Sequence, residues 1–160
     1  MNKNSIVTTL IVALVASIAF ILIQPLFGMS TLTSRHAAAY VEFGGYNKTS
    51  ALLLSWLVHI GVSVSYAALS NLIFIFNSSF TVSAIQIAVL GWMTTLIATP
   101  ANEFVVKLVT TEKFPSLSSL SAINTDVGPK LWLHILFFAF IVFGFWIARL
   151  KSSATVPVSV

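Results

Sequence analysis

The amino-acid sequence predicts an all-α integral membrane protein in which four transmembrane helices form a bundle. Of its 160 residues, 58% are hydrophobic and only 8% are charged, whereas soluble domains carry about 25% charged residues. A soluble domain could not cover its surface with so few charges. The apolar residues fall in four runs, each long enough to cross about 30 Å of hydrocarbon. The predicted spans are 5–27, 50–76, 80–99 and 129–150, and the predicted interfacial loops are 28–49 and 100–128.

Composition and motifs exclude several classes of function. The net charge of +4 is small, and no run of basic residues suggests a nucleic-acid partner. The absence of cysteine excludes disulfides, thiolate metal sites and cysteine nucleophiles. The signatures G-x-S-x-G and H-E-x-x-H and a phosphate-binding glycine loop are also absent. We therefore expect no enzyme and no nucleic-acid partner, with the lipid bilayer as the surrounding medium.

The first span is too apolar over too great a length for a signal peptide, and no typical cleavage site follows it. Pro25 ends or kinks it. The following loop carries Arg35 and His36, and we expect it to lie at the membrane interface with His36 solvated. One stripe of the span is small or polar, and we expect it to pack against the second span; it comprises Thr9, Ala13, Ser17, Phe20 and Gln24.

The second span carries a polar seam that continues on the third. Its polar members fall within about 80° on a helix. Gly61, Ser65 and Ala68 lie on another face, where small residues allow close approach of a further backbone. The short uncharged turn at 77–79 predicts a tight hairpin of the two spans. The seam is a candidate polar path or a set of interhelical hydrogen bonds; it comprises Ser55, His59, Ser63, Tyr66 and Ser70, with Ser83, Gln86 and Thr94 on the third span.

The third span is expected to end at Thr99-Pro100, which resembles a helix N-cap followed by proline. A single helix from Phe80 to Phe114 would be over-long for a bilayer, so we expect a separate interfacial helix after Pro100. The fourth span begins at Pro129 and is rich in phenylalanine. Such a surface predicts contact with lipid or a broad contact with another hydrophobic protein.

An internal repeat is a further hypothesis for the same four spans. A shift of 75 residues places Pro25 on Pro100 and His59 on His134. The other identities at this shift are about as many as apolar composition gives by chance. A genuine repeat would consist of two tandem two-helix units in parallel orientation, with both histidines at equal depth near the loop side.

His59 and His134 are the candidate pair for chemistry inside the membrane, because ionisable residues within spans are costly and are a functional hypothesis by default. Two imidazoles on two helices could ligate one haem iron or another metal. The structural interpretation is that each ring hydrogen-bonds neighbouring helices. Since no acidic residue lies within a span to serve as a third ligand, we expect no cofactor and keep bis-histidine haem or metal binding as an alternative.

These observations predict a non-catalytic accessory or assembly subunit of a larger membrane complex. Its partners would be other membrane subunits or a second copy of the chain. A small transporter or channel that uses the polar seam is the alternative. We expect the bacterial inner (plasma) membrane. The loop side carries more basic residues in total, which favours loops inside; these are Arg35, Lys48, Lys107, Lys113 and Lys130. Lys3, Arg149 and Lys151 lie closer to the ends of spans, and for this reason we expect both termini to be cytoplasmic.

Overall fold

A computed structural model of the chain describes residues 3–125 and 128–154 and is all-helical there. Short 3-10 turns follow the first helix at Gln24–Phe27 and lie in the last connection at Leu117–Ser119. The α-helices are α1 (Lys3–Ile23), α2 (Leu32–Gly44), α3 (Lys48–Phe76), α4 (Phe80–Thr111) and α5 (Gly128–Ala154). All except α2 are long and apolar enough to cross a membrane, which confirms the predicted set of four apolar helices. Residues 126 and 127 of the predicted second loop, and the tail at 155–160, lie outside the described residues.

Helix α1 packs between α3 and α5, and α4 packs on α5. The predicted small-or-polar stripe of α1 is buried along its whole length, so the prediction that it packs against the second span is confirmed. The predicted short turn at 77–79 joins α3 to α4, but the predicted close packing of the two helices is wrong, because they touch each other little. Small side chains on α1, such as Ala13 and Ser17, let both α3 and α5 approach it closely, and this contact takes the place of direct packing between α3 and α4.

The two ends of the bundle differ. At one end, the Asn71 amide donates to Ser5 Oγ at 3.0 Å, and Arg149 contacts Ser78. The start of α1, the α3–α4 turn and the end of α5 therefore lie together, and we call this the hairpin end. Helix α2 packs on both α3 and α4 at the opposite end.

The phenylalanines of α5 form much of the internal core. Phe137, Phe138 and Phe145 are buried, whereas Phe143 is 64% exposed. The Phe138 ring meets Tyr66 of α3 edge-on, with ring centroids 5.3 Å apart. The prediction that this helix offers a broad aromatic surface to lipid or to a partner is therefore wrong for these three buried rings, which face α1 and α3.

The predicted loop over 28–49 contains a helix. Thr31 caps the start of α2 by accepting from the Ser34 N–H at 3.3 Å, and Gly45, with φ of 66°, ends it in the left-handed conformation that glycine adopts readily. Three residues spaced as one helical face are buried: Thr33, His36 and Tyr40. His36 is thus 6% exposed rather than solvated, because α2 lays this face on α3 and α4.

Helix α4 continues through Pro100, so the predicted break there is wrong. Proline removes one backbone donor and normally costs a helix about 3 kcal/mol or more. The carbonyl of Leu96, which loses its usual partner, accepts from the Asn124 N–H at 2.9 Å instead. The connection after α4 also holds its extension, since the Ser121 N–H donates to the Glu103 carboxylate at 2.8 Å. These two hydrogen bonds, from residues that follow α4, explain why the helix continues beyond Pro100.

The packing departs from the symmetry that an internal repeat predicts. A shift of 75 residues relates α1 to α4 and α3 to α5. Helices α1 and α5 pack closely, but the equivalent pair, α3 and α4, barely meet. Pro25 follows α1, whereas Pro100 lies inside α4. The packing therefore gives no support to the repeat, which stays a prediction from the sequence.

Replacing Gly91 with alanine is expected to destabilise the bundle by about 1–3 kcal/mol, because an added Cβ would overpack the α4–α5 contact. That Cβ would lie 3.1 Å from the backbone N and Cα of Ile135, which cannot rotate away. Gly61→Ala is the matched control, since nothing lies within 4 Å of a Cβ at that position. Thermal unfolding of the purified protein in detergent measures both variants. Equal melting temperatures for the two would contradict the close α4–α5 contact.

A candidate binding cleft between α3 and α4

A cleft separates α3 from α4, and all five α-helices contribute to its walls. It holds about 100 Å³ available to the centres of water-sized molecules. Most of the lining is apolar. The lining residues are Phe20 of α1, Leu32 of α2, His59, Val62, Ser63 and Tyr66 of α3, Thr94, Ile97, Ala98, Ala101, Asn102 and Val105 of α4, and His134 and Phe137 of α5.

The cleft is closed toward the hairpin end and open to the side. Buried Gln86 donates from Nε2 to the Ser70 carbonyl at 3.4 Å, which joins α4 to α3 below the cleft. Val62 and Ile97 line the cleft and are 43% and 42% exposed. They form a lateral rim on two membrane-crossing helices. The cleft is therefore a pocket that opens sideways between two helices long and apolar enough to cross a membrane.

The predicted polar seam divides into two groups. Ser63, Tyr66 and Thr94 line the cleft together with both histidines. Ser70 and Gln86 lie in the α3–α4 contact instead. Two members remain. Ser55 is fully buried and donates to the Leu52 carbonyl of its own helix at 2.7 Å, and buried Ser83 accepts from Trp146 Nε1 of α5 at 3.3 Å. Some residues of the seam thus line the cleft, whereas others, at a different depth, lie in contacts between or within helices.

Both histidines are held by hydrogen bonds to neighbouring helices. His59 donates from Nε2 to the Ser17 carbonyl of α1 at 3.2 Å. His134 Nδ1 lies 2.9 Å from Thr95 Oγ1 of α4. Because that hydroxyl donates its own proton to the Gly91 carbonyl at 2.7 Å, it accepts from His134. These hydrogen bonds give both imidazoles a structural role, and both histidines also line the cleft.

The ring of Phe20 contacts both imidazoles, with centroid distances of 5.6 Å to His59 and 5.7 Å to His134. A haem held by the two histidines would have to displace this ring. Among the described residues, no group of three histidine, cysteine, aspartate or glutamate side chains is placed to hold a metal. The bis-histidine haem hypothesis stays a prediction, tested by whether the purified protein shows a Soret band that His59→Ala removes.

A smaller polar cavity adjoins the cleft at its α2 end and holds about 60 Å³ for the centres of water-sized molecules. Among the residues that the structure describes, its wall includes two cations from different helices, Arg35 of α2 and Lys130 of α5, and no carboxylate. We call this cavity the basic mouth. It shares five wall residues with the cleft: Phe20, Leu32, Ala98, Asn102 and His134.

A buried polar face of α2 lies beside the cleft. Neither ring nitrogen of His36 has a hydrogen bond of normal geometry, and the hydroxyl of fully buried Tyr40 has none either. Burial lowers the pKa of His36 to about 4, and the positive charges of Arg35 and His59 add to this shift, while nearby Asn102 opposes it. Burial raises the pKa of Tyr40. At neutral pH this face therefore carries no charge of its own.

A larger groove of about 460 Å³ runs between α4 and α5 near the hairpin end. Its wall is almost wholly apolar and includes exposed Phe80 and Phe143. Binding sites combine apolar walls with a few placed polar groups that fix orientation. The cleft meets that description, whereas the α4–α5 groove is typical of a lipid-facing seam between helices.

No family model matches the chain, and neither a curated protein nor a solved structure matches it. The site is therefore interpreted from its own geometry and chemistry.

Sequence reasoning missed the α4 wall of the site and its basic mouth. The expected break at Pro100 separated Ala101 and Asn102 from the third span, although their spacing continues the helical face that carries Ala98. Arg35 and Lys130 were counted only as charges near the membrane. A usable signal was the N-cap at Thr31, which starts a helix and thereby fixes the position of Arg35.

Proposed function

We propose that the protein is a non-catalytic membrane protein that binds a lipid-like amphiphile in the cleft between α3 and α4. The observation that carries this proposal is the lateral opening of a pocket with deep polar groups onto the apolar surface of two membrane-crossing helices. An acyl chain can enter past Val62 and Ile97 without crossing water. Ser63, Thr94 and Asn102 offer uncharged hydrogen-bonding groups further in. None of the lining residues is acidic.

Closure of the pocket supports binding over conduction. A channel along the seam would need a path past Ser70 and Gln86, both of which are buried and joined by a hydrogen bond. A transporter would need these two helices to separate at the hairpin end. The arrangement favours a molecule that enters from the bilayer and leaves by the same route.

Photo-crosslinking with a phospholipid that carries a diazirine on its acyl chain tests this proposal. We expect labelling of the cleft-lining segments 62–66 of α3 and 97–101 of α4, and we expect an excess of unlabelled lipid to suppress it. Met93, which is 50% exposed on α4 and does not line the cleft, gives the background level for bulk lipid. Unsaturable labelling, equal at Met93 and in the cleft, would reject the proposal.

Association with another membrane subunit is a second candidate function, favoured by the small-residue face of α3. Gly61 and Ser65 are exposed, and nothing lies within 4 Å of a Cβ built at Gly61. The Ser65 hydroxyl is satisfied by the Gly61 carbonyl at 3.1 Å. Small residues four apart on a lipid-facing helix allow a second helix to pack closely. An accessory or assembly role would use this face.

Gentle detergent extraction followed by native electrophoresis examines this second candidate. A larger species is expected for the unaltered chain, and Gly61→Leu is expected to reduce it to the monomer by blocking close helix approach. Migration as a monomer at every detergent concentration would count against a subunit role while leaving the lipid proposal untouched.

We further propose a bacterial inner-membrane location with the hairpin end, and so both termini, in the cytoplasm. Lys3, Arg149 and Lys151 lie toward that end, in agreement with the bias of basic residues to the cytoplasmic side. A cysteine placed at exposed Ser118, on the opposite side, should react with an impermeant maleimide in intact cells. Protection at this position, with labelling of a cysteine at Ser153, would reverse the orientation.

A further inference from the structure

We propose that the ligand is a phospholipid with a net anionic head group, and that Arg35 and Lys130 bind its phosphate at the basic mouth while its acyl chain lies in the cleft. This inference rests on the proposed function and adds the class of lipid. The first observation is adjacency, since the polar cavity with both cations shares wall residues with the apolar cleft. A head group in the polar cavity would therefore lie next to an acyl chain in the cleft.

The second observation is uncompensated charge. Arg35 and Lys130 line one cavity from two different helices, and no carboxylate of a described residue lines it. Within residues 3–125 and 128–154, neither cation forms an ion pair with an acidic side chain. The Glu103 carboxylate, the acidic group on the adjoining part of α4, accepts from the N–H and hydroxyl of Ser121 instead. An anion is the chemical group that would neutralise such a cavity, and basic pockets between membrane helices attract anionic lipid head groups.

The third observation is an unused donor inside the mouth. Gln24 lines this cavity and is 1% exposed. Its Oε1 accepts a hydrogen bond from the Leu32 N–H at 2.6 Å, which fixes the orientation of the side-chain amide. The Nε2 group is the donor of that amide. Within the described residues that Nε2 group has no hydrogen bond to protein. Together with the guanidinium of Arg35 and the ammonium of Lys130, it gives three kinds of donor for phosphate oxygens.

The position of the mouth agrees with this chemistry. Gln24 follows α1, and Lys130 lies in the first turn of α5, so the mouth is at the α2 end of the bundle, where membrane-crossing helices begin and end. A head group there lies at the level of the interface while its chain points along the cleft toward Tyr66. Arg35 and Lys130 are both exposed, so they can reach the group from the water side.

Native mass spectrometry of the delipidated full chain, titrated with single lipids in mild detergent, tests the inference. Phosphatidylglycerol should bind with one-to-one stoichiometry and about tenfold or more tighter than phosphatidylcholine of the same acyl chains, since each basic residue near the head group favours the anion. The Arg35→Gln, Lys130→Gln double variant should bind both lipids equally. Arg35→Lys should keep most of the preference, and Lys113→Gln, an exposed cation outside the mouth, should keep all of it.

The other outcomes separate this inference from the proposed function. Equal saturable binding of both lipids by the unaltered chain would overturn the anionic head group and leave the lipid proposal standing. Saturable binding of neither lipid would overturn both. Glycerol phosphate, the head group without chains, should bind far more weakly than phosphatidylglycerol. Equal affinity for the two would assign the site to a soluble phosphate compound and overturn the lipid as its source.

Discussion

Ala98→Phe is expected to abolish saturable phospholipid binding, with a loss of affinity of about tenfold or more, equivalent to at least about 1.4 kcal/mol. Ala98 lines both the cleft and the basic mouth. A phenyl ring there would project from the wall that the two cavities share, and about 100 Å³ of free space in the cleft leaves little room beside it. Native mass spectrometry with phosphatidylglycerol measures the change.

Ala38→Phe is the matched control, because Ala38 is exposed on α2 and lines neither the cleft nor the mouth. It adds the same apolar surface elsewhere and should bind lipid like the unaltered chain. Thermal unfolding of both variants shows whether the bundle is intact. An intact Ala98→Phe variant with unchanged lipid affinity would place the bound lipid outside the cleft.

His36 is expected to lower the free energy of unfolding by about 3 kcal/mol as the pH falls from 6.5 to 4. Its pKa is lowered from 6.5 to about 4 in the folded chain. Between these values the unfolded chain binds a proton that the folded chain excludes, so stability is full above pH 6.5 and is lost as the pH falls toward 4. The groups that face His36 are Arg35 on its own helix, His59 of α3 and Asn102 of α4.

His36→Leu should make the loss of stability with falling pH smaller by about this amount. An apolar side chain has no proton to bind, and a buried imidazole without a hydrogen bond contributes little that leucine cannot supply at neutral pH. Chemical unfolding in detergent at pH 7, 5.5 and 4.5 compares the two proteins. If the variant loses stability with falling pH as steeply as the unaltered chain, the pH dependence arises from other groups.

The sequence was most informative where one physical requirement decided the outcome. Four apolar runs had to become helices, because backbone polar groups in hydrocarbon must be satisfied within the segment. The stripe from Thr9 to Gln24 had to be buried, because a polar and small-residue face on an apolar helix gains by packing against other helices. The turn at 77–79 likewise set the end of α3 at Phe76.

The sequence was least informative where a distant partner decided the outcome. Pro100 predicts a helix break by local chemistry, but the Asn124 N–H, 28 residues from Leu96, replaces the missing donor. The helical state of α2 depends on α3 and α4 to cover its buried face, including His36. Such contacts join residues far apart in the chain, and no local sequence pattern indicates them.

The polar seam shows both cases in one feature. Helical periodicity correctly grouped Ser63, Ser70 and Gln86 as buried positions. It could not show that α3 and α4 diverge, so that Ser63 lines a cleft while Ser70 and Gln86 hold the helices together one or two turns away. Divergence depends on how α1 and α5 pack, which is a property of the whole bundle.

Paramagnetic NMR tests the central claim, a lipid in the α3–α4 cleft, most directly. One equivalent of phosphatidylglycerol with a nitroxide on its acyl chain is added to the methyl-labelled chain in detergent micelles. The account predicts that the methyl signals of Ala98 and Ala101 broaden strongly, while that of Ala88, exposed on the same helix and outside the cleft, stays sharp. Equal broadening of all three methyl signals would show that the lipid only coats the helices and would contradict a binding cleft.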